Sequence, residues 1–352
     1  MMIDCNVYWF DERIFESNQK IEEFLSSVPN HYDTNAYVKK LEDGRKQIVI
    51  ERPKGYENLN YLQGEYQLDS MLSDMDNAHI NQAILKIPGC HEWLSLEQCK
   101  KFNDGMFEYM KNSEGRLIPL AVVPPNGSQA VFEEIERCLT ELEFPGIQLV
   151  AHYGNHYLDD QQFSDFFEKL NKLRTVVYVH HTPVPTQYDA LIEYTNMRRS
   201  YGRCADQLTA VCRELYSGFF DKYPDLTFVH SMLGGGFFAL KNMLIPRTQN
   251  ASDTVQRFSA DKMNIAYHLE NNVFFEMSHA QPWGKDTLEY AVKVLGADHI
   301  IFGSSYPVRR EWLTEGAQFI RDLTLTPLEK DLILSKNARR IYRLKNQEYS
   351  YD

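Results

Sequence analysis

Short β-rich runs alternate with amphipathic helical segments along most of the 352-residue chain. This alternation predicts βα units, and eight such units in one chain favour a closed parallel barrel over an open sheet. The predicted strands cover residues 2–8, 82–87, 117–122, 146–150, 176–180, 227–231, 273–277 and 300–303. The predicted helices cover residues 69–78, 96–111, 128–141, 161–173, 205–222 and 285–295. The expected fold class is therefore α/β, a (β/α)₈ barrel of the TIM type.

One segment does not follow this strand–helix alternation. Residues 10–68 separate the first strand from the first barrel helix, and within them residues 39–52 resemble a β-hairpin around Asp43-Gly44. Dipeptides of this kind favour tight hairpin turns. We therefore expect one barrel domain over residues 1–352, with an inserted hairpin in the first βα loop, on the face where barrel active sites are built. A second long loop, residues 182–201, follows the fifth strand.

The charge balance narrows the range of partners. A formal net charge of −12 disfavours nucleic acid and anionic membranes, because an acidic surface repels both. It leaves a small-molecule substrate open, since a few cations inside a pocket can outweigh the field of the whole protein. We therefore expect a small-molecule substrate, no nucleic acid and no membrane.

The cysteines and the first ten residues indicate the cellular compartment of the protein. Six scattered cysteines without a CxxC pair are typical of reduced thiols in a cytosol. The first ten residues resemble a strand rather than a secretory signal, and no run approaches the roughly 20 apolar residues that span a bilayer. The expected location is the cytoplasm.

Polar and ionisable residues gather where the predicted strands end, which is where barrel enzymes place their functional side chains. Four of the eleven histidines stand at or just after such ends. They are His152, His180, His230 and His279. A single buried histidine is usually structural, but several on one rim need partners and indicate a site.

Specific motifs run through nearly the whole chain. They include MIDCNVY, MLSDMDNAHINQAILK, PGIQLVAHYGNHYLDD, VVYVHH, FFDKYPDLTFVHSMLGGG, NNVFFEMS and ADHIIFGSSYP. In their order and spacing these motifs resemble the decarboxylase-type branch of the amidohydrolase superfamily, which includes aminocarboxymuconate-semialdehyde decarboxylases and resorcylate-type decarboxylases. The resemblance implies the barrel fold, C–C bond cleavage such as decarboxylation, and a homodimer.

The resemblance also implies where a divalent metal would bind, and the residues at those positions have changed. The first-strand HxH pair of the family falls on Asn6 and Tyr8, and the eighth-strand aspartate falls on Ser305. The sixth-strand catalytic histidine falls on Met232, so that only His180 keeps the family's residue. Since a catalytic zinc site needs about three nitrogen, sulfur or carboxylate ligands, we expect no metal and no other cofactor.

The leading hypothesis is a metal-independent enzyme that acts on a small carbonyl- or carboxylate-bearing, cyclic or aromatic compound. The candidate catalytic residues are His180, His230, Tyr8 and Glu276. The two histidines would transfer protons near neutral pH, and Tyr8 would donate a hydrogen bond or proton to a substrate oxygen. Glu276 would act as a base or orient a histidine. His230 stands two residues before Met232 and is therefore expected to face the barrel interior.

A second set of residues is expected to bind the substrate. It consists of Asn6, Ser305, His152, Tyr153, Met232 and Arg203. The reaction expected from the resemblance is decarboxylation. Two alternatives stay open at this point, a metal-independent hydrolase or hydratase in which a histidine activates water, and a catalytically inactive ligand-binding barrel.

Overall fold

A computed structural model describes residues 1–28, 34–182, 186, 189–245 and 262–344. Within them the predicted α/β class is confirmed, because parallel strands alternate with helices in a (β/α)₈ barrel. Parts of three predicted segments lie outside the described residues, namely 29–33 of the insertion, 183–185 and 187–188 of the second loop, and 345–352 at the end of the expected domain.

The described strands are numbered in chain order. They are β1 (Ile3–Tyr8), β2 (Asn35–Lys40), β3 (Lys46–Glu51), β4 (Glu57–Leu62), β5 (Gln82–Lys86), β6 (Leu117–Pro119), β7 (Ala121–Val122), β8 (Gly146–Val150), β9 (His152–Tyr153), β10 (His156–Tyr157), β11 (Val176–His180), β12 (Thr227–His230), β13 (Val273–Glu276) and β14 (Ile300–Ile301). β2, β3 and β4 belong to the insertion, and β9 pairs with β10 in a small hairpin. The other strands belong to the barrel.

Two parallel ladders close the barrel. One runs β1-β5-β6 and the other β7-β8-β11-β12-β13-β14. β6 and β7 are one broken strand, because the amide of the intervening Leu120 donates to Leu85 O at 3.0 Å. On the far side the segment after β14 pairs with β1, where Cys5 N donates to Phe302 O at 2.8 Å and Ser305 N to Asn6 O at 2.7 Å. The sheet therefore has no free edge at this seam.

The described helices surround the strands. They are α1 (Asn18–Ser26), α2 (Leu68–Asn77), α3 (Leu96–Asn112), α4 (Gln129–Glu136), α5 (Ser164–Lys172), α6 (Gly202–Tyr216), α7 (Phe219–Lys222), α8 (Met232–Leu244), α9 (Lys262–Asn271), α10 (Lys285–Leu295), α11 (Arg310–Arg321), α12 (Pro327–Asp331) and α13 (Asn337–Tyr342). The predicted helix 205–222 is wrong in one respect: it is interrupted at Gly218, whose φ of 77° ends a helix as glycine commonly does. No helix in the described ranges is long and apolar enough to cross a membrane.

Strand alternation sorts the buried side chains into two cores. An inner core fills the barrel with residues such as Ile84, Tyr178 and Val229, and Tyr342 of α13 packs against it. A larger outer core lies between the barrel and its helices and includes Val177 and Phe228. Residues in register on neighbouring strands, such as Tyr178 and Val229, therefore share a face, which decides which side chains reach the mouth.

The insertion folds as a three-stranded antiparallel sheet, β2-β3-β4, rather than as a hairpin alone. β2 and β3 join through a turn at Asp43-Gly44, in which Gly44 has a φ of 87°. The sheet is fastened to the barrel by a buried ion pair of 2.6 Å between Arg52 and Glu92. In addition, the Tyr61 hydroxyl donates to Pro88 O at 2.7 Å. These contacts hold the insertion over the carboxyl ends of the barrel strands.

The first residues of α8, directly after β12, are left-handed. Met232, Leu233, Gly234, Gly235 and Gly236 all have positive φ values, between 50° and 87°. Such a conformation costs about 1–2 kcal/mol at each non-glycine residue. At Gly235 the backbone also touches α6, since an added Cβ would lie 1.9 Å from Cys204 O. The glycines therefore serve both the turn and the contact.

This geometry makes a paired prediction. Gly235→Ala and Gly236→Ala introduce a side chain at similar positive φ, but at Gly236 the nearest neighbouring atom is 3.7 Å away. We expect Gly235→Ala to lower the free energy of unfolding by at least about 2 kcal/mol more than Gly236→Ala, because only the former forces α6 to move. Urea unfolding of both variants measures this difference. Equal losses would contradict the close approach of the turn and α6.

Candidate active site

Five of the predicted site residues meet inside the mouth of the barrel. β1 supplies Asn6 and Tyr8, the ends of β11 and β13 supply His180 and Glu276, and Ser305 follows β14. All five are buried. They come together because the carboxyl ends of parallel barrel strands open onto one face.

Tyr8 and His180 form the central pair. The Tyr8 hydroxyl lies 2.8 Å from His180 Nε2, and His180 Nδ1 lies 2.6 Å from His181 O. A backbone carbonyl can only accept, so Nδ1 carries the proton and Nε2 accepts from Tyr8. Burial lowers the pKa of His180 well below its usual value, with His91 and Lys86 adding to the effect. The imidazole is therefore neutral, and the phenol points its proton at it.

Glu276 organises the opposite wall. Its Oε2 accepts from Ser278 Oγ at 2.6 Å, from the Tyr178 hydroxyl at 2.8 Å and from Asn6 Nδ2 at 3.3 Å. Ser278 N donates to Oε1 at 2.5 Å. The same Asn6 amide group lies 3.1 Å from Ser305 Oγ. Because a carboxylate only accepts, Glu276 fixes the orientation of Asn6, which in turn positions Ser305.

The segment after β14 approaches β1 closely beside Glu276. A Cβ at Gly303 would lie 2.0 Å from Glu276 Oε1 and 2.8 Å from Asn6 Cβ. Asp4 Oδ1 holds this approach by accepting from the amides of Asn6 and Ser304, both at 2.9 Å. The absence of a side chain at position 303 thus leaves room for the Glu276 carboxylate.

Lys86 places a buried amine in the same interior. Its Nζ donates to Cys5 O at 2.6 Å and lies 3.1 Å from the centre of the Tyr178 ring. Burial lowers the pKa of Lys86 from 10.5 to about 7, against the opposing effects of Glu276, Cys5 and Asp4. Burial also raises the pKa of Glu276, while Lys86 opposes that rise. The amine and the carboxylate are coupled through Tyr178, which touches both.

Two adjoining cavities open above this cluster. The inner one, of about 80 Å³, is lined by Tyr8 and His180 together with Asn58 and Tyr61 of the insertion. The outer one, of about 430 Å³, is lined by residues that include Met232. The two cavities share His181, Arg199, Arg203, His279 and Val308. Met232 and Arg203, predicted to bind substrate, therefore do lie at the mouth.

The expectation that His230 faces the interior is wrong. His230 is in register with Val179, a residue of the outer core, whereas Val229 points inward. Its Nε2 lies 2.8 Å from a Glu214 carboxylate oxygen on α6. The left-handed turn that begins at Met232 interrupts the alternation, so Met232 reaches the mouth although His230 does not. His230 joins the barrel to α6.

His152 and Tyr153 also lie away from the mouth, contrary to expectation. His152 Nδ1 donates to Gly154 O at 2.8 Å, and its Nε2 lies 3.4 Å from Asp206 on α6. Tyr153 packs against the Phe163 ring, with centroids 6.0 Å apart. Neither residue lines the two mouth cavities. Both support the small β9–β10 hairpin.

The comparisons with known proteins identify the family. The family model described as Amidohydrolase matches residues 91–344. The chain belongs to the amidohydrolase family. It is 25% identical to gamma-resorcylate decarboxylase of Polaromonas sp., over 80% of this chain and 86% of that protein. It is 23% identical to 2-amino-3-carboxymuconate-6-semialdehyde decarboxylase of Dictyostelium discoideum, over 72% and 69% of the two chains.

A solved structure shares the fold. It is 5-carboxyvanillate decarboxylase from Novosphingobium aromaticivorans, complexed with manganese and 4-hydroxy-3-methoxy-5-nitrobenzoic acid. The TM-score is 0.76 at 20% identity, over 98% of this chain and 96% of that one. The expected membership of the decarboxylase-type branch is confirmed.

The residues present here do not fit the manganese of that relative. Asn6, Tyr8, His180 and Ser305 do converge, but both nitrogens of His180 are engaged by Tyr8 and a backbone carbonyl. Asn6 directs its amide nitrogen to Glu276 and Ser305, which leaves Oδ1, a weak neutral donor, as its only atom for a cation. Across the described part of the chain, no group of three or more His, Cys, Asp or Glu side chains is arranged to hold a metal.

The sequence assigns no catalytic or binding role to four residues that the structure places in or beside the site. Lys86 and Tyr178 face the barrel interior, and His181 and His279 line both cavities. The available signals were a lysine at the end of a wholly buried strand and the His180-His181 doublet. Neither signal reveals which neighbour a side chain will touch.

The depressed pKa of Lys86 predicts a pH dependence. Between pH 7 and 10.5 the unfolded chain holds a proton on Lys86 that the native state has lost, so native stability rises with pH in that window. Lys86→Met removes this contribution. We therefore expect the difference in unfolding free energy between wild type and Lys86→Met to increase from pH 7 to pH 10 in urea titrations.

The exposed Lys101 offers a matched control, since its side chain is 64% accessible. Lys101→Met should leave the difference from wild type flat over the same pH range. A flat or falling difference for Lys86→Met would show that the amine keeps its ordinary pKa.

Proposed function

We propose that this enzyme is a decarboxylase-type lyase that acts, without a divalent metal, on a small aromatic hydroxy acid. The proposal is carried by one observation: the Tyr8 hydroxyl directs its proton to a neutral His180 at the base of the mouth. Membership of the amidohydrolase family and the decarboxylase names of the relatives support the reaction class.

The pair can relay a proton from the substrate. Because Tyr8 donates to His180 Nε2, the lone pairs of its oxygen accept a hydrogen bond from a substrate hydroxyl. Proton transfer from that hydroxyl to Tyr8, and from Tyr8 to His180, produces a phenolate and an imidazolium. Burial raises the pKa of Tyr8, so tyrosinate does not accumulate and the phenol serves as a conduit.

The same proton then completes the reaction. It returns through Tyr8 to the ring carbon that bears the carboxylate, as the phenolate electrons move into the ring. The bond from that carbon to the carboxylate breaks, its electron pair restores the aromatic phenolate, and CO₂ leaves. Overall, HO–Ar–COO⁻ becomes ⁻O–ArH and CO₂, with no oxidant or reductant required. The phenolate product takes a proton from water after release.

The surrounding charges suit this sequence. Arg203 lines the inner cavity with Tyr8 and lowers the pKa of that phenol through its charge, although burial dominates. The same positive charge would stabilise a substrate phenolate beside Tyr8. Met232 and Trp283 give the outer cavity an apolar side against which an aromatic ring can pack.

Loss of either partner should abolish the relay. We expect Tyr8→Phe and His180→Gln each to lower kcat for CO₂ release from hydroxybenzoates by about 10²–10⁴-fold, the usual contribution of general acid–base groups. Tyr223→Phe is a matched control, since its hydroxyl bonds to Ser164 O outside the mouth. Unchanged kcat in both mouth variants would refute the relay. Addition of water to the substrate instead of CO₂ release would indicate a hydratase.

Metal independence has its own test. We expect elemental analysis of active protein to find zinc and manganese well below one ion per chain, because the donor set offers one imidazole that is already engaged. Activity should persist after dialysis against a chelator and should not increase with added Mn²⁺. A stoichiometric ion whose removal abolishes activity would overturn this part of the proposal.

A further inference from the structure

The outer cavity concentrates positive charge at the entrance. Arg199, Arg203 and Arg309 all line it. No aspartate or glutamate is among its described lining residues, although the chain as a whole carries a net charge of −12. Arg309 has an exposed partner, Glu311, at 3.4 Å, which screens it only weakly. The cavity therefore has a positive potential opposite in sign to that of the protein.

The ionisable neighbours respond to this potential. Burial, together with the charges of Arg203 and Arg309, lowers the pKa of His279 to about 3. Burial and the charge of Arg199 lower the pKa of Arg203 to about 10. Cations gathered so closely repel one another, and an anion among them would relieve that repulsion.

A buried polar atom points to a ligand independently of the arginines. His181 is 5% exposed and lines both cavities, and its Nδ1 has no hydrogen-bond partner within the described residues. His181 also stacks on His180, with ring centroids 4.0 Å apart. It lies between the proton-relay pair and the arginines, where a substrate ring would pass.

The volumes show how a substrate would span the two cavities. The inner space of about 80 Å³ is far below the roughly 300–1,000 Å³ of ordinary ligand pockets, whereas the outer space of about 430 Å³ falls within that range. A substrate whose hydroxyl reaches Tyr8 must therefore extend past His181 into the outer cavity. Its far substituents would then face Arg199 and Arg309.

From these observations we infer that the outer cavity is an anion subsite, and that the substrate is an aromatic acid with a second anionic group, most simply a dicarboxylate. This inference rests on the proposed function for the reaction, but the subsite itself is a binding property. Guanidinium groups suit it because they bind carboxylates through two parallel hydrogen bonds. The carboxylate held here stays on the product.

The test uses binding, so that it does not depend on turnover. Calorimetry compares benzoate with benzene-1,3- and benzene-1,4-dicarboxylate on the whole protein. We expect the better dicarboxylate to bind at least about tenfold more tightly, and Arg199→Gln/Arg309→Gln to reduce that preference to about threefold or less. Arg174→Gln/Arg321→Gln, at exposed sites outside the cavity, makes the same change in net charge and should keep the preference.

A wild-type measurement covers the case in which the double variant fails to fold. The monomethyl ester of the preferred dicarboxylate has nearly the same shape but one charge, and it should bind as benzoate does. Equal binding of ester and diacid would overturn the subsite, as would a preference that survives in Arg199→Gln/Arg309→Gln. Selective binding of diacids, with no CO₂ release from hydroxylated mono- or dicarboxylates, would uphold the subsite and refute the proposed function. Decarboxylation of monocarboxylates without any preference for the diacid would uphold the proposed function and refute the subsite.

Discussion

The buried ionisable groups inside the barrel constrain the rest of the site. Glu276 and Lys86 are withdrawn from water, and an unpaired charge in such a place is very costly. The structure meets this constraint by giving Glu276 donors from Ser278, Tyr178 and Asn6, and by placing Lys86 against Cys5 O and the Tyr178 ring. Through Asn6 the same network reaches Ser305, and Asn6 Nδ2 lies 3.5 Å from the Tyr8 hydroxyl.

In the proposed metal-independent enzyme, this network takes over part of the role of a metal ion. A divalent ion supplies concentrated positive charge and orients the groups around it. Here hydrogen bonds would provide the orientation, and Arg203 at the mouth would provide the positive charge. Replacement of ligands by Asn6, Tyr8 and Ser305 is therefore consistent with a reorganised site, since each of them takes part in the network.

The strand–helix alternation and the strand ends could be predicted from the sequence, because they depend on local periodicity and on the rule that barrel sites lie at one face. The convergence of the five site residues followed from that rule together with the family resemblance, which singled out Asn6, Tyr8, His180 and Ser305. The direction of the His230 side chain could not be predicted, because strand alternation gives two faces without saying which is inner. The left-handed turn at Met232 also breaks the alternation, so His230 and Met232 do not share a face. The Lys86–Tyr178 contact joins strands far apart in sequence, and no local pattern encodes it.

The insertion separates the selection of substrates from catalysis, two tasks that the same residues often perform. Asn58 and Tyr61 form one wall of the inner cavity, and Arg203 Nη2 donates to Asn58 O at 3.1 Å, so the inserted sheet and the start of α6 meet over the mouth. The proton-relay pair lies below, on β1 and β11. Changes in the inserted sheet or at the start of α6 can therefore alter which molecules enter the mouth without altering Tyr8 and His180. A barrel built in this way can acquire new substrates by editing its loops, with the strand residues left under separate selection.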